Sequence, residues 1–568
     1  MHKRWTLIGL LGITFLAFSL SLFNDFTNWD DGPHLTENPY VRSLDPSNLK
    51  KIFAHTVLGT YIPLTVLSFA LEYHFFGLDP FVYHLNNLLL HLAVTCLVFY
   101  FGLQMGLTRQ AAFLATLLFG VHPMRVESVA WVTGRKDVLY ALFYLIALLV
   151  YVRYLKGRKY SVYLLTLFLG LSSILAKPMA LSLPLIFFVL DWWHHRKWDH
   201  RALLDKIPHF LYILPLVWIT YANYMRLPGQ NVLEAILIWI WTFMFYLQKF
   251  LFPIVLVPLY QWPEPISLGN PAYLSSLILM LVLILILVRL QKHRWVRLAI
   301  VFYFFSVFFL LRFDVVADKH VVADRYIYLP SLGFCFLLGW WMDERLRRFQ
   351  IQAGWLRRFL LAGLVLLFVI LAVKTFLQGR IWQSSLTLWT YVIQKSPNKA
   401  VAYQNRGAAY LEKDQLAEAL KDFDQAVRLN PRYADCFYNR GIVYKRLKQF
   451  DEAIRDFTQA LGLRPYFAEA FNNRGAVYKI QGRYDLAMGD FHQAIHINSN
   501  LEEAYINRAA VYVLKKQYDQ AASDLTQAIL INPTSPETYL KRGAVYQLLN
   551  QSELARDDFL HAQNLPME

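Results

Sequence analysis

Cysteine and charge are both scarce in this chain. Three cysteines stand among 568 residues, Cys96 and Cys335 in apolar stretches and Cys436 in a polar one. No two share a pairing or metal-ligand spacing, which argues against a disulfide framework and a zinc site. Charged residues make up 17% and hydrophobic residues 56%, where an average soluble domain carries about 25% charge. Much of the chain is therefore solvated by lipid. The N-terminal run MHKRWTLIGLLGITFLAFSLSLF lacks an A-x-A-like cleavage site. It reads as a retained first helix that starts on the inner side. The net charge is +16, yet nucleic acid is not an expected partner. The basic residues gather in short loops at 156-KGRK-159, 194-HHRKWDHR-201, 291-QKHRWVR-297 and 344-ERLRRF-349, between apolar runs. That is how cytoplasmic loops look under the positive-inside bias.

Apolar stretches near the roughly 20 residues that cross a bilayer recur as far as residue 377. They lie at 5–23, 84–104, 111–122, 138–155, 160–176, 178–193, 208–225, 232–258, 272–290, 296–312, 328–342 and 357–377. The Ile52–Phe76 region holds His55, Glu72 and His74 among apolar residues, which fits interfacial helices better than a span. Placing all four basic loops inside requires 232–258 to leave and return on one side. The break at 252-FPIVLVP-258 permits this. About eleven to twelve membrane segments result, one of them irregular, with Asp30 and everything after residue 377 outside.

Beyond Gln378 a repeat begins. Asn405-Arg406-Gly407 returns as Asn439-Arg440-Gly441, Asn473-Arg474-Gly475, Asn507-Arg508-Ala509 and Lys541-Arg542-Gly543, each 34 residues on. Tyrosine (410, 444, 478, 512, 546) and alanine (419, 453, 487, 521, 555) keep the same period. Pro397, Pro431, Pro465 and Pro533 do too, with Ser499 in the remaining slot. This resembles the tetratricopeptide repeat, a pair of helices closed by proline. Five units fill 400–568. Residues 380–399, with Trp382, Leu386 and Trp389, are expected to cap and link the solenoid. The fold class is thus all-α: a polytopic membrane domain over 1–379, then an α-solenoid. Each repeat carries arginine where the family usually has leucine, and an aspartate sixteen residues later. An Arg–Asp pair within each repeat is expected. Asn405, Asn439, Asn473 and Asn507 occupy the position that faces the concave groove in such repeats. An amide both donates and accepts, so these could grip a peptide backbone. Hydrogen bonding between repeats is the plainer alternative.

Polar clusters interrupt the membrane half, and the topology puts them on one side. The first is Asp30, Asp31, His34, Glu37 and Asn38; by itself it reads equally as a turn. The second joins His122, Arg125, Glu127, Arg135, Lys136 and Asp137 around Trp131. The third holds Asp318, Lys319, His320, Asp324 and Arg325, with an outer-loop salt bridge beside Arg325 as the bland reading. A fourth surrounds Lys177-Pro178. Ionisable residues at membrane depth mark functional sites by default. Cations gathered on the outer side run against the positive-inside bias, and an anion such as a lipid phosphate accounts for them.

The ordered set Asp30-Asp31…Asn38, His122-Pro123…Glu127…Gly134-Arg135 and Arg325-Tyr326-Ile327-Tyr328-Leu329-Pro330-Ser331 resembles the glycosyltransferase C superfamily. The nearer resemblance is to transmembrane, tetratricopeptide-containing O-mannosyltransferases. The resemblance implies an inverting glycosyltransferase, a hexosyltransferase that moves a sugar from a polyprenyl-phosphate carrier to a hydroxyl. Asp30 or Asp31 would be the general base. Arg135, Lys136 and Arg325 would hold the lipid phosphate, and His34, Asn38, His122 and Glu127 would orient base or acceptor. The acceptor would be Ser or Thr of a protein held in the repeat groove, and mannose is the sugar the resemblance suggests. No spacing compels a metal, although Asp31, His34 and Glu37 are a conceivable set, and no cofactor beyond the lipid-linked donor is implied. The setting would be a bacterial inner membrane or the endoplasmic reticulum, with the repeats on the periplasmic or lumenal side. A membrane-anchored repeat scaffold without activity, and a transferase acting on a lipid or glycan, are the alternatives.

Overall fold

The computed structural model describes residues 3–222, 232–308, 322–352 and 354–565. Asp318, Lys319 and His320 of the third cluster lie outside them. Among the described residues the regular structure is helical, and the chain divides into two compact units, 1–392 and 393–568.

The first unit holds helices α1 (Lys3–Phe18), α2 (Pro46–Ala54), α3 (Pro63–Phe76), α4 (Pro80–Gln104), α5 (Arg109–Gly120), α6 (Val126–Ala130), α7 (Arg135–Gly157), α8 (Tyr160–Ala176) and α9 (Leu183–Trp193). Then come α10 (His200–Leu204), α11 (Ile207–Ala222), α12 (Val232–Leu251), α13 (Pro271–Leu290), α14 (Arg294–Phe308), α15 (Leu332–Gln352), α16 (Gly354–Gly379) and α17 (Ser385–Lys395). Local chemistry starts several of them. Asp45, Asp79, Thr108 and Asn270 each accept a hydrogen bond from a backbone N–H in the first turn of α2, α4, α5 and α13. Proline follows three of these caps at the first helical position, where no N–H is needed.

Among the described residues, six helices are long and apolar enough to cross a membrane: Trp5–Phe23, Pro80–Gln104, Val132–Gly157, Val232–Leu251, Pro271–Leu290 and Gly354–Trp382. The sequence suggested eleven to twelve. Part of the difference lies in short elements. At 1.5 Å per residue, the 12 residues of α5 cover only about 18 Å, and most of its side chains are buried. α8 and α9 are apolar but shorter than a full span. The Ile52–Phe76 region forms the end of α2 and α3, and α12 ends at Leu251, just before the expected break at 252–258. α13 leaves Leu274, Ile278, Leu281, Leu285 and Val288 at the surface, as a helix solvated by hydrocarbon does.

The second unit is a run of antiparallel helix pairs, from Ala400–Glu412 with Leu416–Leu429 to Pro536–Leu548 with Ser552–Asn564. A Cβ on Gly441 would come within 2.8 Å of the Phe457 ring. The absent side chain is therefore what lets the two helices of that repeat touch. All five expected Arg–Asp pairs form. In each, Nε and Nη2 reach the two carboxylate oxygens at 2.7–2.8 Å. The structure adds a second role. Nη1 of Arg440, Arg474 and Arg542 bonds Asp424, Thr458 and Thr526, sixteen residues upstream in the preceding repeat. A guanidinium has five donors in a plane, so one arginine ties three helices together, which leucine could not do.

Replacing Arg474 with Ala leaves Asp490 buried without its partner. It should destabilise that repeat by about 1–3 kcal/mol, read as faster amide exchange over 468–497. Arg455→Ala, which breaks an exposed pair with Glu452, should change exchange by less than about 0.5 kcal/mol.

Candidate active site

The four clusters cross-link one another. Asp31, the better buried of the adjacent aspartates, accepts from Thr27 N at 2.8 Å and Thr27 Oγ1 at 2.9 Å on one oxygen. On the other oxygen it accepts from Thr133 N at 3.1 Å and from Thr133 Oγ1. A carboxylate offers about four acceptor sites, and all four are filled. Asp31 thus fastens the first loop to the second cluster. Burial pushes its pKa up, and the hydroxyl and amide donors of Thr133 and Thr27 oppose that.

Glu127 is buried and receives Arg325 twice, from the backbone N at 3.0 Å and from Nη1. Burial raises its pKa, and the Arg325 charge counters the effect. Arg125 closes a parallel link. Its Nε donates to Phe119 O at 3.2 Å, Nη1 to Ile327 O at 3.1 Å, and Nη2 to Ser331 Oγ. The second and third clusters are therefore one body. Gly134 permits the fold of the second: a Cβ there would fall 2.7 Å from the Glu127 carbonyl and 2.8 Å from that of Ser128.

Against this frame Asp30 stands apart. It is half-buried, and its carboxylate has no hydrogen-bond partner among the described residues, while its carbonyl accepts from His34. Lys136 and Arg325 both lie within electrostatic reach of that carboxylate. Lys136 Nζ sits 5.3 Å from the centre of a Trp131 ring and makes no ion pair among the described residues, and the Arg325 guanidinium is also 5.3 Å from Trp131. Arg325 Nε has no hydrogen-bond partner among the described residues. His34 Nδ1 lies 2.8 Å from the Asp30 carbonyl. A carbonyl only accepts, so Nδ1 carries the hydrogen and Nε2 is left as an acceptor. Burial, then the Lys136 charge, lowers the His34 pKa to about 3, so the ring is neutral. A carboxylate, two cations and a neutral imidazole thus lie within electrostatic reach of one another.

Four expectations need correction. Arg135 was expected to hold phosphate. It is fully buried, with Nη1 and Nη2 on the Glu72 carboxylate, Nε on Asn87 Oδ1, and further bonds to the Tyr83 carbonyl and Ser68. No donor remains for an anion. His122 uses Nε2 on Phe250 O at 2.9 Å and Nδ1 on Met124 N at 3.3 Å, so it pins the loop to the end of α12 and orients no acceptor. Asn38 caps the short turn at Pro39 by accepting from Tyr40 N at 2.9 Å. Glu127 is the partner of Arg325, whose ion pair is therefore not with Asp324. Asp324 instead accepts from Tyr260 OH at 3.0 Å. No group of three His, Cys, Asp or Glu residues that could hold a metal ion occurs among the described residues.

Sequence reasoning also missed partners. Lys177 pairs with Asp137 beneath Tyr326. Lys249 lies in apolar α12, and a lysine in a span was a signal open to reading. Trp382 and Trp389, expected to cap the solenoid, serve the first unit. Trp389 stacks on Trp29 at 4.9 Å and donates from Nε1 to Asn28 Oδ1 at 2.7 Å; Trp382 stacks on Trp131 at 5.6 Å.

In the second unit, Asn473 donates to Tyr438 OH at 3.1 Å and accepts from Lys445 Nζ. Asn507 donates to Asn472 Oδ1 at 3.0 Å and accepts from Lys479 Nζ at 2.8 Å. These two asparagines bridge neighbouring repeats. Asn439 makes no side-chain hydrogen bond among the described residues, and Asn405 lies half-buried at the same repeat position.

Models of the tetratricopeptide repeat match residues 407–448, 434–467, 468–501 and 502–535. Protein O-mannosyl-transferase TMTC3 of Homo sapiens is 26% identical over 500 residues, 75% of this chain and 51% of that protein. The chain resembles the protein O-mannosyl-transferases. Protein O-mannosyl-transferase Tmtc1 of Drosophila melanogaster is 36% identical over 200 residues, 34% of this chain and 23% of its own length. The chain spans about half the length of the first O-mannosyl-transferases it matches. Among solved structures, YrrB, described as a TPR protein with an unusual peptide-binding site, is 23% identical over 31% of this chain and 90% of its own, with a TM-score of 0.27.

Asp31→Asn places an amide N–H₂ against two donors and should cost about 2–3 kcal/mol of stability. Asp30→Asn should leave thermal unfolding unchanged. His34 and His122, whose pKa is likewise lowered to about 3 by burial, hold fewer protons folded than unfolded between about pH 3 and 6.5. Stability therefore rises with pH across that window and falls as pH drops through it. Melting temperature should decline below about pH 6, and His34→Gln with His122→Gln should flatten the decline.

Proposed function

We propose that this chain is an integral-membrane glycosyltransferase that moves a hexose from a polyprenyl-phosphate carrier to a Ser or Thr hydroxyl of a protein. The observation that carries the reading is the unequal pair: Asp31 is saturated with hydrogen bonds, while the Asp30 carboxylate has no hydrogen-bond partner among the described residues and lies within electrostatic reach of Lys136 and Arg325. Asp30 takes the proton of the acceptor hydroxyl as that oxygen attacks the anomeric carbon. A neutral hydroxyl is a poor nucleophile, and a positioned carboxylate supplies the base. Attack from the face opposite the lipid phosphate inverts the anomeric centre. The departing phosphate needs charge stabilisation rather than a proton. Arg325, oriented by Glu127, and Lys136 provide it. His34 Nε2 accepts a hydroxyl hydrogen of sugar or acceptor.

The names of the O-mannosyl-transferase relatives support mannose and a protein acceptor. The repeats supply a groove for the acceptor segment, with Asn405, Asn439, Asn473 and Asn507 along it. Clusters rich in cations suit the extracytoplasmic face, periplasmic or lumenal, where the positive-inside bias leaves few others.

Asp30→Asn should lower transfer from a radiolabelled polyprenyl-phosphate mannose to a peptide acceptor by about 10²–10⁴-fold. Wild-type rates in that variant would remove Asp30 as base. Arg325→Met should also lose activity, while Arg325→Lys should retain part of it.

A further inference from the structure

Two of the basic stretches, 156–159 and 194–201, meet around one cavity. It measures about 480 Å³ and is bordered by Lys156, Arg158, His194, Arg196, Lys197 and Asp199. Lys136 and Lys156 stand near the two ends of α7, about 30 Å apart along its axis at 1.5 Å per residue. That is the thickness of a bilayer's hydrocarbon core. The cavity therefore opens at the opposite end of a candidate span from the candidate active site. Tyr160, Trp198, Leu203 and Leu204, on the same stretches and the α10 that follows, are exposed, as residues at a headgroup boundary are.

Most of the neighbouring cations are spent on structure. Arg196 bonds Asp205 and the Tyr151 hydroxyl, and Lys206 bonds Asp191. Those two carboxylates and two cations cancel. In the other basic stretches, Arg294 donates to the Trp193 carbonyl and Arg347 pairs with Asp343. Lys156 and Lys197 make no ion pair among the described residues. Arg158 comes no nearer than 3.8 Å to the Asp205 carboxylate that Arg196 already holds. The one carboxylate on the cavity wall, Asp199, caps α10 by accepting from Ala202 N at 2.8 Å. Three cations against one carboxylate leave an excess of two positive charges, and a cleft of one sign concentrates its field.

Two further observations go beyond an ordinary basic loop. His194 Nε2 is buried without a hydrogen-bond partner among the described residues. Burial, then the Lys156 and Arg294 charges, lowers the His194 pKa, so the wall disfavours one more cation. Arg158 and His195, another wall residue, have φ of 48° and 54°. Glycine is usual at such left-handed positions after a helix. A cation near a helix C-terminus is favourable, but that does not require placing it on a strained residue, and strain gathers at functional sites.

We infer that this cavity is a binding site for a phosphomonoester dianion, held by Lys156, Arg158 and Lys197 with His194 Nε2 as a further contact. A phosphomonoester carries a charge of about −1.5 to −2 near pH 7 and three acceptor oxygens, which matches the excess; a phosphodiester carries a single charge and does not. At headgroup depth the cavity is open to a lipid phosphomonoester and to a soluble one. The site lies across the span from Asp30 and does not depend on the transferase reading.

Native mass spectrometry of the full chain in detergent, titrated with dioctanoyl phosphatidic acid, should show saturable retention of the lipid. Dioctanoyl phosphatidylglycerol should bind at least about tenfold more weakly. Lys156→Gln with Arg158→Asn and Lys197→Gln should weaken phosphatidic acid binding by at least about tenfold; asparagine tolerates the left-handed backbone at 158. Lys197→Glu alone, at an exposed position, should weaken it about fivefold and decides the matter if the triple variant fails to fold. Lys292→Gln with Arg345→Gln and Arg348→Gln removes as much charge from the other basic stretches and should leave affinity within about twofold. Glycerol 3-phosphate separates the sources: displacement of phosphatidic acid at comparable concentration assigns a soluble ester to the cavity, and retention of the lipid assigns a headgroup. Equal binding of phosphatidylglycerol, equal loss in the two triple variants, or binding of neither phosphomonoester would overturn the inference.

Discussion

The ion pair between Glu127 and Arg325 is the contact on which the first unit depends. A buried charge without a partner costs several kcal/mol, and nearly 200 residues separate these two. Their pairing forces the segment after α5 against the segment before α15. Arg125 on Ser331 and Asp31 on Thr133 then complete the frame. The same rule explains Arg135 on Glu72 and Lys177 on Asp137. Most cations of the clusters are consumed in building the site, and the ones left over are those with chemistry open to them.

That selection separates Asp30 from Asp31. Adjacent residues point to different surroundings, and surroundings set the role of a carboxylate. Thr27 and Thr133 close around Asp31 and fix it as an anchor. Asp30, displaced by one residue, has no partner for its carboxylate among the described residues, and its carbonyl orients His34. Tryptophans complete the surroundings: Trp29 lies on Trp389 and Trp131 on Trp382, so the segment after α16 helps wall the first loop.

The repeat unit obeys a related economy. Placing arginine where leucine is usual gives each repeat a planar fork. Two arms close on its own aspartate, and in three repeats the third arm reaches the repeat before it. Stability in such arrays comes from repeats and the joints between them, and here one side chain serves both. Lys445 and Lys479 do likewise for the groove asparagines.

Several features were legible in the residues alone because they are local or periodic. The lipid-solvated half follows from apolar run length, the solenoid from a strict 34-residue period, and the Arg–Asp pairs from a fixed sixteen-residue offset on neighbouring helices. That the motifs of the polar clusters belong together was also suggested by the resemblance they carry. What only the tertiary structure decided is which charge remains free. Arg135 and Lys136 are neighbours in sequence, yet one is locked on Glu72 and the other makes no ion pair among the described residues. Sequence counts charges; only long-range packing decides which partner each one meets.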